Sequence, residues 1–362
     1  MRIAVLGNAD ALHTRRWAGI LAARGHDVRV FSLERPPSPG SSGDAPITVI
    51  PGLPLPRVLR YPLAAGGFAR ALDAFDPDLV EAHYVPNYGF LGALVGRRPL
   101  VVQCWGSDLL VSAARSPLHA VRARYALERA DLVVADARVL GEAARAFGAP
   151  SERIAVVPWG ADLTRFRLAS FITASHVVSL RQLEPLYDVA TLVEALPAVR
   201  ARIPALTATI AGDGPERAQL EGRVRALGLS ECVTFVGRVP HDRLAELLGA
   251  AAVYVSTSHS DSTSISLLEA MASGAVPVVS DIPGNREWLE EGRGGRFFPV
   301  GDATALATAL VSTLEDEAFR QSARTRNRDK VETDGDWAAN VARIEARYAA
   351  LLTPTLRAEA RP

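Results

Sequence analysis

The chain has 362 residues, of which 48% are hydrophobic and 22% are charged, and its formal net charge is zero. This balance excludes a disordered chain and gives no electrostatic reason to expect nucleic acid as a partner. The length suits two domains, each large enough to bury its own core. Cys104 and Cys232 are the only cysteines, and both lie in apolar runs. We therefore expect no disulfide, and a protein of the cytoplasm.

The chain opens without a signal-peptide pattern, and no apolar run reaches about eighteen residues, so we expect neither a signal peptide nor a transmembrane helix. The basic residues are almost all arginine, because Lys330 is the only lysine among forty basic side chains.

A strand, a glycine turn, a helix and a second strand open the chain. The strands are Ile3 to Leu6 and Val28 to Phe31, and the turn is Gly7-Asn8-Ala9. This order is typical of a parallel α/β sheet. Four further short, continuously apolar runs predict strands buried on both faces. They cover residues 79–80, 100–104, 132–135 and 154–157.

The alternation of short apolar strands and helices begins again after Phe166 and a short connector, so a second α/β unit is predicted. Its strands cover residues 177–180, 208–211, 233–236, 253–256 and 276–280. A last helix is predicted from about Trp337 to Leu352, followed by a frayed tail at residues 353–362. Proline-rich stretches at 36–46 and 51–62 predict loops.

The most informative stretch runs from Ser258 to Gly274. A polar loop follows a strand and leads into a helix whose first turn is rich in serine and threonine. Such a helix start offers free backbone N–H groups to an anion. From the residues alone, Asp261 could equally cap the helix, and Glu269 could equally be a solvent-exposed charge on it.

This stretch resembles the signature of glycosyltransferase family 4, also described as glycosyl transferases group 1. There an acidic residue, seven others and a glutamate are followed by a Leu-Glu-Ala-Met-Ala-x-Gly helix and a Pro-Val-Val strand, which stand here at 268–274 and 277–279. The resemblance implies that Glu269 holds the donor ribose and that Asp261 contacts the transferred sugar. Asp261 replaces the usual glutamate. The usual Gly-Phe-Gly-Leu loop is replaced by four residues whose N–H groups would face sugar and phosphate, namely Ser262, Thr263, Ser264 and Ile265.

Other segments of the second half are similar to the donor side of the same family. Arg181 matches the arginine that neutralises the leaving diphosphate, but Leu186-Tyr187 stand where the family has a lysine. The turn with Gly212 and Gly214 resembles one beside the donor. Arg238 and Val239 follow a strand, and by resemblance they contact the nucleobase through backbone groups.

In the first half the resemblance points to an acceptor side. Asn8 and His13 stand in the loop where the family has paired glycines, and Trp105 occupies the place of a catalytic-site histidine in the segment that ends at Asp108. His83 resembles the histidine of the family's fourth strand. With the family histidine absent, His83 or His13 is expected to orient the sugar, although a structural role for either histidine suits the sequence equally.

The resemblance implies the GT-B architecture, with two Rossmann-like domains facing across a cleft. Residues 1–166 would bind the acceptor and residues 170–336 the nucleotide-sugar donor, with the helix and tail at 337–362 crossing back to the first domain. The implied reaction is metal-independent transfer with retained configuration, as in the synthesis of bacterial glycans or glycoconjugates. Two alternatives remain: a nucleotide-sugar 2-epimerase of the same architecture, and a catalytically silent relative that only binds nucleotide sugar.

No cofactor or metal is expected. Asp76-Pro77-Asp78 matches a D-x-D metal motif, but Pro77 stands where a helix ends and a strand begins, which favours a turn. The acceptor would be a sugar, a lipid-linked molecule or another small molecule. Residues 53–72 mix apolar side chains with Arg57, Arg60 and Arg70, so peripheral contact with the inner face of a membrane stays open beside a soluble acceptor.

Overall fold

The computed structural model describes residues 1–36, 45–51, 57–169 and 172–353, without the side chains of residues 57 and 58. The chain divides into two compact units, one formed by residues 1–157 and 342–362 and the other by residues 158–341. The division precedes the predicted boundary at Phe166. Residues 158–166 belong to the second unit because Ala161 exchanges backbone hydrogen bonds with Gly335 and Trp337, and Phe166 is buried in that unit's core.

The first unit contains a seven-stranded sheet in the order β3-β2-β1-β4-β5-β6-β7, and every neighbouring pair is parallel. In chain order the strands β1 to β7 are Arg2–Leu6, Asp27–Ser32, Ile47–Val49, Leu79–His83, Leu100–Gln103, Leu132–Ala135 and Ile154–Val156. The helices α1 to α5 are Leu12–Ala23, Arg57–Phe75, Phe90–Val95, Pro117–Arg129 and Arg138–Ala146. Two π-helical segments, Tyr84–Gly89 and Asp108–Ala113, follow β4 and β5, and a 3₁₀ turn covers Ser151–Arg153.

The second unit contains a six-stranded parallel sheet in the order β10-β9-β8-β11-β12-β13. In chain order the strands β8 to β13 are Thr173–Ser179, Thr207–Ala211, Val233–Gly237, Ala251–Ser256, Val276–Ser280 and Arg296–Phe298. The helices α6 to α12 are Val189–Arg202, Arg217–Ala226, His241–Ala250, Ile265–Ser273, Pro283–Arg286, Ala303–Glu315 and Glu317–Asp334.

Side chains on both faces of the second sheet are buried. Along β11, Val253 and Val255 belong to one core cluster and Tyr254 to another, as the alternation of a strand requires. Helices therefore cover both faces, which is the arrangement that parallel strands need. The last helix, α13 (Trp337–Leu352), begins in the second unit and belongs to the first from Ala342 onward, so the predicted return of this helix is confirmed.

One loop prediction is wrong. Helix α2 begins at Arg57 and continues through Pro62 and the Gly66-Gly67 pair, where the proline-rich pattern predicts a loop to residue 62. Pro62 lies in the second turn, so the helix loses one hydrogen bond close to its start. The buried Phe68 and Leu72 anchor the helix on the sheet. The predicted loop at residues 37–44, the stretch 52–56 and the tail at 354–362 lie outside the described residues.

Candidate functional site

The strand order of the second sheet creates a switch point between β8 and β11. The chain leaves β8 toward β9 and β10 on one side, and reaches β11, β12 and β13 on the other. In open parallel sheets, ligands bind beyond the carboxyl ends of strands at such a point. Arg181 follows β8, and the polar loop with Asp261 follows β11, so the topology brings the two predicted residues to the same place.

The Arg181 guanidinium is held on several sides. Nη2 lies 2.5 Å from Asp261 Oδ2, Nη1 lies 2.6 Å from Ser264 Oγ and 3.3 Å from Ser266 Oγ, and the group stacks 4.4 Å from the centroid of the Tyr187 ring. The side chain is only 9% exposed. Burial alone would lower the pKa of Arg181, but Asp261 and the neighbouring tyrosines raise it above its usual range, so the cation is secure.

One donor of this guanidinium is unsatisfied. Arg181 Nε is buried and has no hydrogen-bond partner among the residues that the structure describes. A buried donor without a partner costs free energy, and an acceptor that arrives with a ligand would recover it. Open parallel sheets bind ligands at such a switch point, so a ligand there would be able to bring that acceptor.

The loop after β11 closes onto the start of α9. Ser264 caps this helix and accepts a hydrogen bond from Leu267 N, while Ile265 is its first residue. Ser262, Thr263 and Ser264 are buried, and Trp288 Nε1 donates to Thr263 Oγ1 at 3.3 Å. The helix start thus lies beside Arg181, so its positive dipole end adds to the guanidinium charge.

Gly212 and Gly214 lie against the backbone that carries Arg181. A Cβ on Gly212 would stand 2.1 Å from the Arg181 carbonyl oxygen, and one on Gly214 would stand 2.3 Å from that of Leu183. Only glycine allows this approach. These glycines, predicted as donor contacts, therefore fix the path of the Arg181 loop.

Glu269 lies on α9 with its side chain only 4% exposed. Its Oε1 is 2.9 Å from His241 Nε2, and His241 Nδ1 is 2.6 Å from Arg165 Nη1. The solvated-charge reading of Glu269 is therefore wrong, because the carboxylate is buried and paired. The sequence pattern gives no hint of His241, since no spacing rule links it to Glu269.

Arg238 and Val239 follow β10 at the edge of the sheet. The Arg238 side chain is exposed and Val239 is half-buried. Gly237 O accepts a hydrogen bond from Gly212 N at 2.8 Å, so the backbone just before Arg238 adjoins the glycine turn beside Arg181.

The first sheet has its own switch point, between β1 and β4. Asn8 follows β1 and is half-buried, and His83 ends β4 with 2% exposure. The Trp105 ring centroid lies 5.2 Å from both the His13 and the His83 rings. The structure thus gathers His13, His83 and Trp105 into one aromatic cluster.

A buried carboxylate that the sequence pattern missed supports His83. Glu81 is fully buried on β4, and its Oε1 lies 3.0 Å from His83 Nε2. The second oxygen of Glu81 and the Nδ1 of His83 have no hydrogen-bond partner among the described residues. The i, i+2 spacing on a strand was the available signal, because it places both side chains on one face.

Asp108, predicted to lie on the acceptor side, has a structural role in the first unit. Asp108 is fully buried, and its oxygens accept hydrogen bonds from the backbone N–H groups of Val85, Trp105 and Leu109. Burial raises the pKa of this carboxyl to about 6, although these N–H groups lower it in part. Asp108 therefore holds the backbone that carries Trp105.

The D-x-D sequence is a turn. Asp76 pairs with Arg97, and Asp78 Oδ2 accepts a hydrogen bond from Arg2 N at 2.8 Å. Among the described residues no three histidines, cysteines or acidic side chains are arranged to hold a metal ion. Within the same residues no helix has the length and apolar character to cross a membrane.

Two family models match the chain. The description "Glycosyl transferase 4-like domain" applies to residues 11–160 and "Glycosyl transferases group 1" to residues 162–330. A glycogen synthase of Mycobacterium tuberculosis is 31% identical over 63% of this chain and 56% of its own length, so the chain spans little more than half of that relative. An N-acetyl-alpha-D-glucosaminyl L-malate synthase of Bacillus anthracis is 26% identical over 76% of each chain.

Solved structures share the fold over nearly the whole length. A sucrose-phosphate synthase of Thermosynechococcus elongatus has a TM-score of 0.83 at 22% identity, over 97% of this chain and 99% of that one. The Anabaena protein Alr3699/HepE, solved with UDP-glucose, has a TM-score of 0.80 at 20% identity, over 97% and 100%. With two Rossmann-like sheets and both family domains in succession, the chain belongs to the group 1 glycosyltransferases of the family 4 type.

Proposed function

We propose that this protein is a retaining glycosyltransferase that moves a sugar from a nucleoside diphosphate sugar to an acceptor hydroxyl without a metal ion. The observation that carries the proposal is the buried Arg181 at the switch point of the second sheet, with an unsatisfied Nε and the start of α9 beside it. Guanidinium groups suit phosphate oxygens, because their fixed fork donates two hydrogen bonds at once.

In the proposed reaction, the bond between the anomeric carbon and the diphosphate oxygen breaks, and a bond to the acceptor oxygen forms on the same face of the sugar. The acceptor proton passes to the leaving phosphate. Negative charge grows on the phosphate oxygens, where Arg181 and the N–H groups of residues 262–265 would stabilise it without reorganising. Asp261, whose carboxylate pairs with Arg181, would contact the sugar.

The relatives support the donor class. The Anabaena neighbour was solved with UDP-glucose, and a relative from Mycolicibacterium smegmatis, 36% identical over 46% of this chain, is a phosphatidyl-myo-inositol mannosyltransferase. We assign donor binding to the second unit and acceptor binding to the first, where the exposed His13 and the half-buried Trp105 offer aromatic faces to a sugar. The two free, buried cysteines support a cytoplasmic site of action.

The test uses a panel of UDP, GDP and ADP sugars read by thermal shift, because a ligand that binds only the folded protein raises its melting temperature. Turnover is then measured with candidate acceptors, with and without a chelator, and NMR reads the anomeric configuration of the product. Loss of activity with chelator, restored by manganese or magnesium, contradicts the metal-independent reaction. Conversion of the nucleotide sugar without any acceptor supports the epimerase, and binding without turnover supports the silent relative.

The acceptor class has a separate test at helix α2. Leu59 and Leu63 are 46% and 58% exposed, whereas Arg60 lies 3.0 Å from Glu34, so much of its charge is already neutralised. If the acceptor is lipid-linked, the double change Leu59→Ser with Leu63→Ser should reduce co-sedimentation with anionic vesicles. Sedimentation that neither this double variant nor added salt changes contradicts a membrane role for this helix.

A further inference from the structure

Two contacts of His241, with Arg165 and with Glu269, fix the position of its ring proton. Arg165 Nη1 lies 2.6 Å from Nδ1, and Glu269 Oε1 lies 2.9 Å from Nε2. A guanidinium can only donate a hydrogen bond, so Nδ1 must be the acceptor and carries no proton. The single ring proton therefore sits on Nε2 and is donated to Glu269. The contact geometry defines a neutral imidazole whose tautomer is fixed by an arginine.

Both ends of this chain of contacts are anchored. Arg165 pairs with Asp242 at 2.7 Å and with Asp162 at 3.8 Å. The edge of the Phe166 ring packs on the imidazole, with 5.2 Å between the ring centroids. At the other end, Glu269 is buried within α9 and has little freedom to rotate without losing its partner.

We propose that neutral His241 is a positioning residue that orients the Glu269 carboxylate toward the ribose hydroxyls of the donor. The proposal rests on the proposed function, since it concerns how the nucleotide is held. A carboxylate that binds a vicinal diol must present its oxygens in a set plane, and a hydrogen bond from a fixed ring supplies that plane.

The direct test is calorimetric titration of nucleoside diphosphates into His241→Phe and His241→Gln. ADP, GDP and UDP are compared, and the tightest binder is repeated as its 2′,3′-dideoxy analogue. Phenylalanine keeps the packing on Phe166 but donates no hydrogen bond, so we expect about tenfold weaker binding of the ribonucleotide. The glutamine amide can still donate, and affinity should stay within about threefold. Dideoxy binding should be equal in all proteins, because the ligand has no ribose hydroxyls.

A double-mutant cycle with Glu269→Gln tests whether His241 acts through Glu269. If it does, the loss in the double variant should be close to that of the worse single variant. Additive losses overturn the proposal. The control is His176→Gln, another part-buried histidine of the same unit, whose Nε2 lies 3.0 Å from Thr209 Oγ1.

Wild-type affinity in His241→Phe, or an equal loss for the dideoxy ligand, overturns the role of His241 but leaves nucleotide binding intact. Failure of every nucleoside diphosphate to bind the unaltered protein contradicts the proposed function, and the positioning role with it. If His241→Phe does not fold, His241→Leu, which also donates no hydrogen bond, takes its place in the titrations and in the double-mutant cycle.

Discussion

The two units have the same kind of sheet and opposite chemistry at their switch points. At the second, between β8 and β11, a buried guanidinium meets a carboxylate, serine hydroxyls and a helix start. At the first, between β1 and β4, the buried groups are the Glu81–His83 pair and the rings of Trp105 and His13. Topology places loops at the edge of a sheet, and the side chains there decide whether the site favours an anion or a neutral sugar.

The largest expected effect comes from removing the cation that distinguishes the second switch point. Arg181→Ala should lower kcat at saturating donor at least about a hundredfold, roughly 3 kcal/mol, because the diphosphate charge loses its main partner. Arg181→Lys should recover only part, since lysine has no fork. Arg202→Ala is the matched control, because Arg202 is an exposed arginine of the same unit that pairs with Glu315. A loss below about tenfold, deepened by adding Arg238→Ala, would assign the charge elsewhere.

A stability experiment isolates the first switch point. Glu81→Ala leaves His83 buried without its partner and should lower the free energy of unfolding by about 3 kcal/mol in urea titrations. Glu81→Gln still accepts a hydrogen bond and should lose less. Nucleotide affinity should be unchanged in both variants. A change in nucleotide affinity would show that the two switch points are not independent.

The first unit also contains a carboxyl group, that of Asp108, whose protonation is coupled to folding. Asp108 has a pKa raised by burial from 3.8 to about 6, so the folded state holds this proton more tightly than the unfolded chain. Its contribution to stability is full below about pH 4 and is lost as the pH rises to about 6, on the order of 2 to 3 kcal/mol. Asp108→Asn should flatten that part of the pH profile of unfolding. An unchanged profile contradicts the assignment.

The smallest expected effect concerns the ring of Tyr187, which stands close to the position where the family has a lysine. Tyr187 stacks on Arg181 at 4.4 Å, a contact worth about 1 kcal/mol. Tyr187→Leu should therefore reduce kcat a few-fold, whereas Tyr187→Phe should retain activity. Equal losses in both variants would point instead to a role for the hydroxyl. Tyr125 over Arg129, on α4 of the first unit, offers the matching Tyr125→Leu control.

Strands buried on both faces were predicted well because each is a short apolar run between turn residues. The edge strands Ile47–Val49 and Arg296–Phe298 were missed, since three residues carry no periodic signal. Strand β4 continues past Val80 through Glu81, whose charge ended the predicted run. That glutamate is tolerated inside the sheet because His83 pairs with it, a contact that only the folded chain reveals.

For the site, the pattern around Asp261 and Glu269 identified the loop and helix that the structure places beside Arg181. The contacts of Arg181 and Glu269 could not be predicted. Ser266 and Tyr187 contact Arg181, and His241 contacts Glu269, and no spacing rule in the sequence connects these residues. Asp108 matched a motif by position, yet its burial gives it a structural role.

The scarcity of lysine has a consequence for chemical modification. Lys330 is the only side chain with an amine, and it lies on α12 in an ion pair with Asp334, while the buried site cation is a guanidinium. Acylation of side-chain amines can therefore reach Lys330 but cannot remove the charge of Arg181. Dicarbonyl reagents do modify arginine, and a bound nucleotide should protect Arg181 from them. The same single amine makes Lys330 a defined attachment point for a fluorophore on the second unit.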